Sequence, residues 1–186
     1  TYEDSWLRND AGTEKVEANS FTVAAALKKE VGSWLFALAG GAGYTWGDSS
    51  RYLALGTLST VAEAEPSSAF AFGRARASYE FAFDERFYMR PMVDLDVITV
   101  HQKGYTETGA GALNLIVDDA TKTVFAVTPG VEFGRRLDMS ADLPARLFAG
   151  LGVSFLSDDQ WESKARFAGI TAMDQFTTVM PINDTV

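Results

Sequence analysis

The feature that most constrains this chain is a strict alternation of apolar and polar residues held over unusually long segments. In 86–101, Phe87, Met89, Pro91, Val93, Leu95 and Val97 fall on one face, while Arg90, Asp94 and Asp96 fall on the other. In 122–136, Phe125, Val127, Val131 and Phe133 oppose Lys122, Thr128, Glu132 and Arg136. In 69–83, Ala69, Ala71, Ala75 and Ala77 lead into Tyr79, Phe81 and Phe83, against Arg74, Arg76, Ser78 and Glu80. Period two is the signature of a strand with unlike faces. Soluble strands usually run about five or six residues. Several segments here keep the alternation for about 11 to 15, the reach a tilted strand needs to cross a bilayer.

Further strands are expected near 19–29, 33–47, 51–61, 109–118, 143–156 and 160–172, with a weaker one near 175–182. Turn-forming clusters separate them: Gly47-Asp48-Ser49-Ser50, Asp84-Glu85, Asp118-Asp119 and Ser157-Asp158-Asp159. Residues 63–68, with Pro66, read as a longer loop, and the polar residues 1–18 as another. The predicted fold is all-β: an antiparallel meander of about ten strands forming a single transmembrane β-barrel domain.

Which face meets lipid does not follow from alternation alone, and a soluble β-sandwich or barrel with a binding role stays open on that ground. Two features favour a membrane barrel. The apolar faces end in aromatics (Trp34, Tyr44 and Trp46; Tyr79, Phe81 and Phe83), with Trp161 a further candidate, as in the interfacial girdles of outer-membrane barrels. The opposite faces carry both signs of charge at mid-strand: Arg74, Arg76, Glu80, Arg90, Asp94, Asp96, Glu132, Arg146, Glu162, Lys164 and Arg166. In a lumen these can pair and stay wet, whereas Arg or Lys facing lipid at the midplane costs about 2–4 kcal/mol. The charged face is therefore predicted to line the lumen.

Composition removes other classes. There is no cysteine, hence no disulfide framework, thiolate nucleophile or cysteine-ligated zinc. The one histidine, His101, excludes a two-histidine metal motif. A formal net charge of −9 without a basic run gives no purchase on phosphates, so nucleic acid is not an expected partner. No run of about 18 apolar residues offers a transmembrane helix. No signal peptide is visible, and an export signal is expected outside this sequence.

The stretch YMRPMVDLDVITVHQKGYTETGAGALNLIV (88–117) carries Pro91, Tyr105, Glu107, Gly109, Gly111, Leu113 and Val117. TVFAVTPGVEFGRRL, with Gly130, follows it, and ARLFAGLGVSF and MDQFTTVMPINDTV come later. These segments resemble the autotransporter (type V secretion) β-domain family over residues 30–186, most specifically over 88–135. The resemblance implies a roughly twelve-stranded barrel, of which this chain reads as an interior piece without the first and last strands. It implies anchoring in the Gram-negative cell outer membrane and protein secretion of an N-terminal passenger. The implied partners are outer-membrane lipid, the chain's own passenger and the barrel-assembly machinery. No cofactor is implied. A stand-alone outer-membrane pore or adhesin is the other membrane reading, against which the mostly short loops speak.

Glu107 matches the family's glutamate, and in some members lumenal acids assist passenger self-cleavage. The plainer expectation is that Glu107 faces the lumen, has an arginine (the lumen offers Arg74, Arg76, Arg90, Arg146 and Arg166) or a backbone donor within hydrogen-bonding reach, and fixes register. Asp94 and Asp96 share a face as glycosidase carboxylates can, but neighbouring arginines point to ion pairing. His101 has no nucleophile motif beside it. The Asp118-Asp119 and Asp158-Asp159 pairs could ligate calcium but read as solvated turns. Gly40, Gly41 and Gly43 lie within a strand, so they do not form a phosphate loop. They would thin the wall, leaving lumenal room or bending the barrel. No catalytic residue, metal site or enzymatic function is predicted.

Overall fold

The computed structural model describes residues 1–8, 13–140, 143–170 and 174–181. The strands, in chain order, are β1 (Tyr2–Arg8), β2 (Glu14–Val31), β3 (Trp34–Leu55), β4 (Leu58–Ala64), β5 (Ser67–Tyr79), β6 (Phe81–Ala82) and β7 (Phe87–Gln102). They continue as β8 (Tyr105–Thr106), β9 (Leu115–Val117), β10 (Ala120–Ser140), β11 (Leu143–Gly152), β12 (Phe155–Leu156), β13 (Gln160–Phe167) and β14 (Phe176–Pro181). A single 3-10 turn, Gly111–Leu113, breaks the pattern among the described residues. The main sheet runs β1-β2-β3-β5-β7-β10-β11, every pairing antiparallel, and curls into a half-barrel. A smaller sheet, β14-β13-β9-β8, adjoins it at β4 through the Glu63–Thr108 bridge.

Several boundaries differ from the sequence reading, for one physical reason: turn-forming residues do not end a strand whose ladder is held on both sides. β3 runs through Gly47-Asp48-Ser49-Ser50, because Val16 pairs with Ser49 on one flank and Ala64 with Ser49 on the other. The chain turns instead at Gly56, whose φ of 60° suits a residue without Cβ. The expected loop at 63–68 shrinks to Glu65 and Pro66, so β4 and β5 follow β3 almost as one strand. Proline has no N–H to give the ladder, but its carbonyl accepts from the Gly47 N–H at 3.2 Å. Within 1–18, β1 and the start of β2 form a hairpin in place of a loop. Residues 109–118 hold the 3-10 turn and only the short β9. At the Asp84-Glu85 turn, the backbone N–H groups of Phe87 and Arg86 each donate to the Asp84 carboxylate at 2.7 Å, holding its pKa below the ordinary aspartate value.

Directly paired residues of an antiparallel ladder lie on the same face, so the register fixes both faces. One carries Phe36, Leu38, Leu95, Phe125, Val127 and Leu151, all exposed. The other carries charged groups, many of them enclosed: Asp94 is only 5% exposed, and the Arg90 and Glu132 side chains only 14% and 13%. Side chains converge on the inside of a curl and splay on the outside, so the charged face is concave and the apolar face convex. A water-soluble sheet has the reverse arrangement.

Two aromatic clusters mark the ends of the convex band. Trp34 stacks on Phe36 (5.8 Å between centroids) and meets Tyr79 edge-on (5.1 Å), which in turn packs on Phe81 (4.7 Å). Tyr44 stacks on Trp46 at 6.0 Å at the opposite end of β3. From Trp34 to Tyr44 the strand rises about 34 Å at about 3.4 Å per residue, which a tilt of about 45° reduces to about 24 Å. That is the height of a membrane barrel's apolar belt. Between these clusters the convex faces of β3, β5 and β7 carry no charge.

Candidate functional site

Cross-strand register places opposite charges face to face across the concave surface. Arg74 stands opposite Asp96 and Arg76 opposite Asp94; Arg90 stands opposite Glu132. Arg74 Nε donates to Asp96 at 2.5 Å, and Arg76 grips both oxygens of Asp94 at 2.6 Å each. Arg90 bridges Glu80 (2.5 Å) and Glu132 (3.1 Å), while Arg136 reaches across β7 to the same Glu80. Such pairs do little for net stability against apolar replacements, but losing one partner strands a charge. Their clear use is register, since a one-residue slip would turn every one of them to the convex face.

Tyr88 sits at the centre of this network, 1% exposed. Its hydroxyl donates to Glu132 at 2.8 Å. The Arg90, Arg136 and Arg146 guanidiniums lie 5.1, 5.4 and 5.7 Å from its ring centroid, within cation–π range. The ring lies flat over Gly134, its direct cross-strand partner. A Cβ there would stand 2.1 Å from Tyr88 Cζ. The charges predicted for the lumen thus fall into two groups. Arg74, Arg76, Glu80, Arg90, Asp94, Asp96, Glu132 and Arg146 share the concave face. Glu162, Lys164 and Arg166 lie apart on β13, exposed on the smaller sheet, where Arg166 meets Asp118 at 3.2 Å.

Glu107 belongs to the segment linking β7 to β10. Arg51 holds both its oxygens, Nε to Oε1 at 3.0 Å and Nη2 to Oε2 at 2.5 Å, and the Leu115 N–H donates to Oε2 at 2.7 Å. Arg51 also donates to the Leu113 carbonyl at 3.2 Å. The guanidinium passes over its β4 partner Ala62, which is 1% exposed. An arginine and a backbone donor thus both reach Glu107, as expected, but the arginine is Arg51 and none of the five named, because the apparent turn at 47–50 hid the continuation of β3. With both oxygens engaged, Glu107 clasps the linking segment to β3 and β4. Glu107→Gln keeps the shape but replaces one acceptor oxygen with an NH2 group, which must then oppose an N–H of Arg51 or Leu115. It should lower stability by about 1–3 kcal/mol, read as a lower urea midpoint, with passenger release unchanged. Normal folding with blocked release would instead assign Glu107 a catalytic role.

Among the aromatics, Trp34, Tyr79 and Phe81 form one end cluster, with Phe83 exposed next to it, and Tyr44 and Trp46 form the other. Trp161 is half-buried on β13, in the smaller sheet. The wall-thinning reading of Gly41 and Gly43 is corrected: a Cβ at either would meet the ring of Phe72 (2.9 Å) or Phe70 (2.4 Å), so aromatic side chains occupy that space. Sequence reading missed Arg51, Tyr88, Phe70 and Phe72. Tyr88 was open to it by parity, two residues before Arg90.

His101 is exposed at the end of β7, with Nδ1 2.7 Å from the Thr121 hydroxyl. Asp158 pairs with Lys122, and Asp118 accepts from Gln175 at 2.5 Å. No metal-binding cluster occurs among the described residues.

A curled antiparallel sheet with an exposed uncharged belt and a paired charged interior defines the class: an outer-membrane-type β-barrel wall. A family model, the autotransporter beta-domain, matches residues 1–185, and the chain belongs to that family, whose role is that of an outer-membrane β-barrel translocator. The match reaches further toward the N-terminus than the motifs alone. No curated protein matches the chain.

Proposed function

We propose that this chain is the wall of a single barrel in the Gram-negative outer membrane that carries its own N-terminal passenger across and then anchors it. The observation that supports this most is the inversion of burial, with Leu38, Leu95 and Leu151 exposed at 59%, 52% and 70% while Asp94 is enclosed at 5%. Lipid satisfies the convex belt, and a water-filled lumen satisfies the concave charges. The enclosed carboxylates of the concave face, Asp94, Asp96 and Glu132, are each held by an arginine, which suits a wall that positions charge and not one that transfers protons. Insertion falls to the barrel-assembly machinery.

Surface shaving of intact cells tests the reading. In cells making the full-length protein, added protease should remove the passenger while the barrel stays in the outer-membrane fraction with heat-modifiable gel mobility. A folded barrel in that fraction with its passenger wholly protected would refute translocation.

A further inference from the structure

The convex belt is bounded by unlike charges at its two ends. At the end with the tight turns at Gly32 and Asp84, two cations stand on the apolar face itself. Lys29 pairs across to Phe36 and lies between Leu27 and Val31 on its own strand, exposed at 74% and 52%. Arg135 stands between Phe87 on β7 and Leu147 on β11, its guanidinium 5.1 Å from the Phe87 ring. Neither forms an ion pair among the described residues. Asp84, close enough to feel the Arg135 charge, already accepts two backbone N–H groups. Lys28 and Glu30 pair with each other on the opposite face, at 2.8 Å. At the other end the same convex surface carries Asp4, Glu17, Asp48 and Glu63 against two cations, Lys15, which pairs with Glu17 at 2.5 Å, and Arg8 in register opposite Lys15, so acidic groups are in excess there. Glu17 stands directly opposite Asp48 there.

A cation flanked by exposed leucine, valine and aromatic side chains lies where those side chains meet lipid. Long basic side chains in that position extend toward the headgroup layer. Resting on the reading of the convex face as lipid-facing, we infer that Lys29 and Arg135 bind phosphodiester headgroups of anionic glycerophospholipid in the leaflet at the tight-turn end. The acidic rim repels such headgroups at the other end, so the same charges fix which end enters which leaflet. Arg135 is suited to the task, since its planar fork can stack on Phe87 and still present donors to a phosphate.

The test inserts the chain into vesicles of phosphatidylcholine containing a minority of phosphatidylglycerol, extracts it mildly, and measures retained lipid by native mass spectrometry. The wild-type chain should retain phosphatidylglycerol in excess of its share. The Lys29→Gln, Arg135→Gln double variant should lose about tenfold of that preference. The charge-keeping Lys29→Arg variant, with Arg135 unchanged, and the Lys15→Gln variant should keep it. Equal enrichment in the Gln variant, or loss in the charge-keeping one, overturns the inference. Failure of the wild-type chain to enter vesicles at all would instead overturn the lipid-facing reading beneath it.

Discussion

Arginine in place of Leu38 is expected to block stable insertion. Leu38 is 59% exposed on the convex face of β3, four residues from Trp34 and six from Tyr44, hence near mid-belt. In lipid the change costs about 2–4 kcal/mol at the midplane, a large part of a typical folding free energy of about 5–15 kcal/mol. The folded fraction in vesicles, scored by heat-modifiable mobility, should fall sharply. Ala126→Arg, which adds the same charge on the concave face opposite Asp96, should insert normally. Were the convex face in water, Leu38→Arg would be close to silent, since surface changes usually fall within about 0.5 kcal/mol.

The other large effect centres on Tyr88. Gly134→Val must displace the ring, because even a Cβ would stand 2.1 Å from Cζ. Displacement removes the hydroxyl's bond to Glu132 and uncovers the three guanidiniums around the ring. Tyr88→Ala should cost about 3–5 kcal/mol, as truncations of large buried aromatics do, and Gly134→Val should fall in the same range. In Tyr88→Ala, Gly134→Val should cost far less, since the ring it would strike is gone. That non-additivity, measured as a double-mutant cycle in urea, assigns the effect to the ring-on-glycine contact. Additive losses would remove it.

Much of this was legible in the sequence because a membrane sheet writes its faces in period two. Arg74 with Asp96, Arg76 with Asp94 and Arg90 with Glu132 could be placed on one face from parity alone, and the structure sets each pair directly opposite. Parity counts only while a strand is known to continue. At Gly47-Asp48-Ser49-Ser50 local composition suggested a turn, yet flanking ladders carry β3 through it, and Arg51 was lost as the partner of Glu107. Glu162, Lys164 and Arg166 show the converse limit. Their alternation was read correctly, but which sheet a strand joins is a long-range choice that alternation does not encode. Phe70 and Phe72 went unnoticed because aromatic rings on a charged face make sense only once the glycines they cover, Gly43 and Gly41, are known to be neighbours.

The central claim is that the convex face meets hydrocarbon while the concave face meets water. The chain has no cysteine, so single cysteines can be introduced at the four consecutive β10 positions Phe125, Ala126, Val127 and Thr128 and labelled with nitroxide in vesicles. The direct measurement is collisional access to oxygen, which concentrates in lipid, against access to a water-soluble nickel chelate. Labels at 125 and 127 should collide mainly with oxygen, and labels at 126 and 128 mainly with nickel. Nickel reaching 125 and 127, or both of those labels shielded from either quencher inside a packed core, would contradict the account.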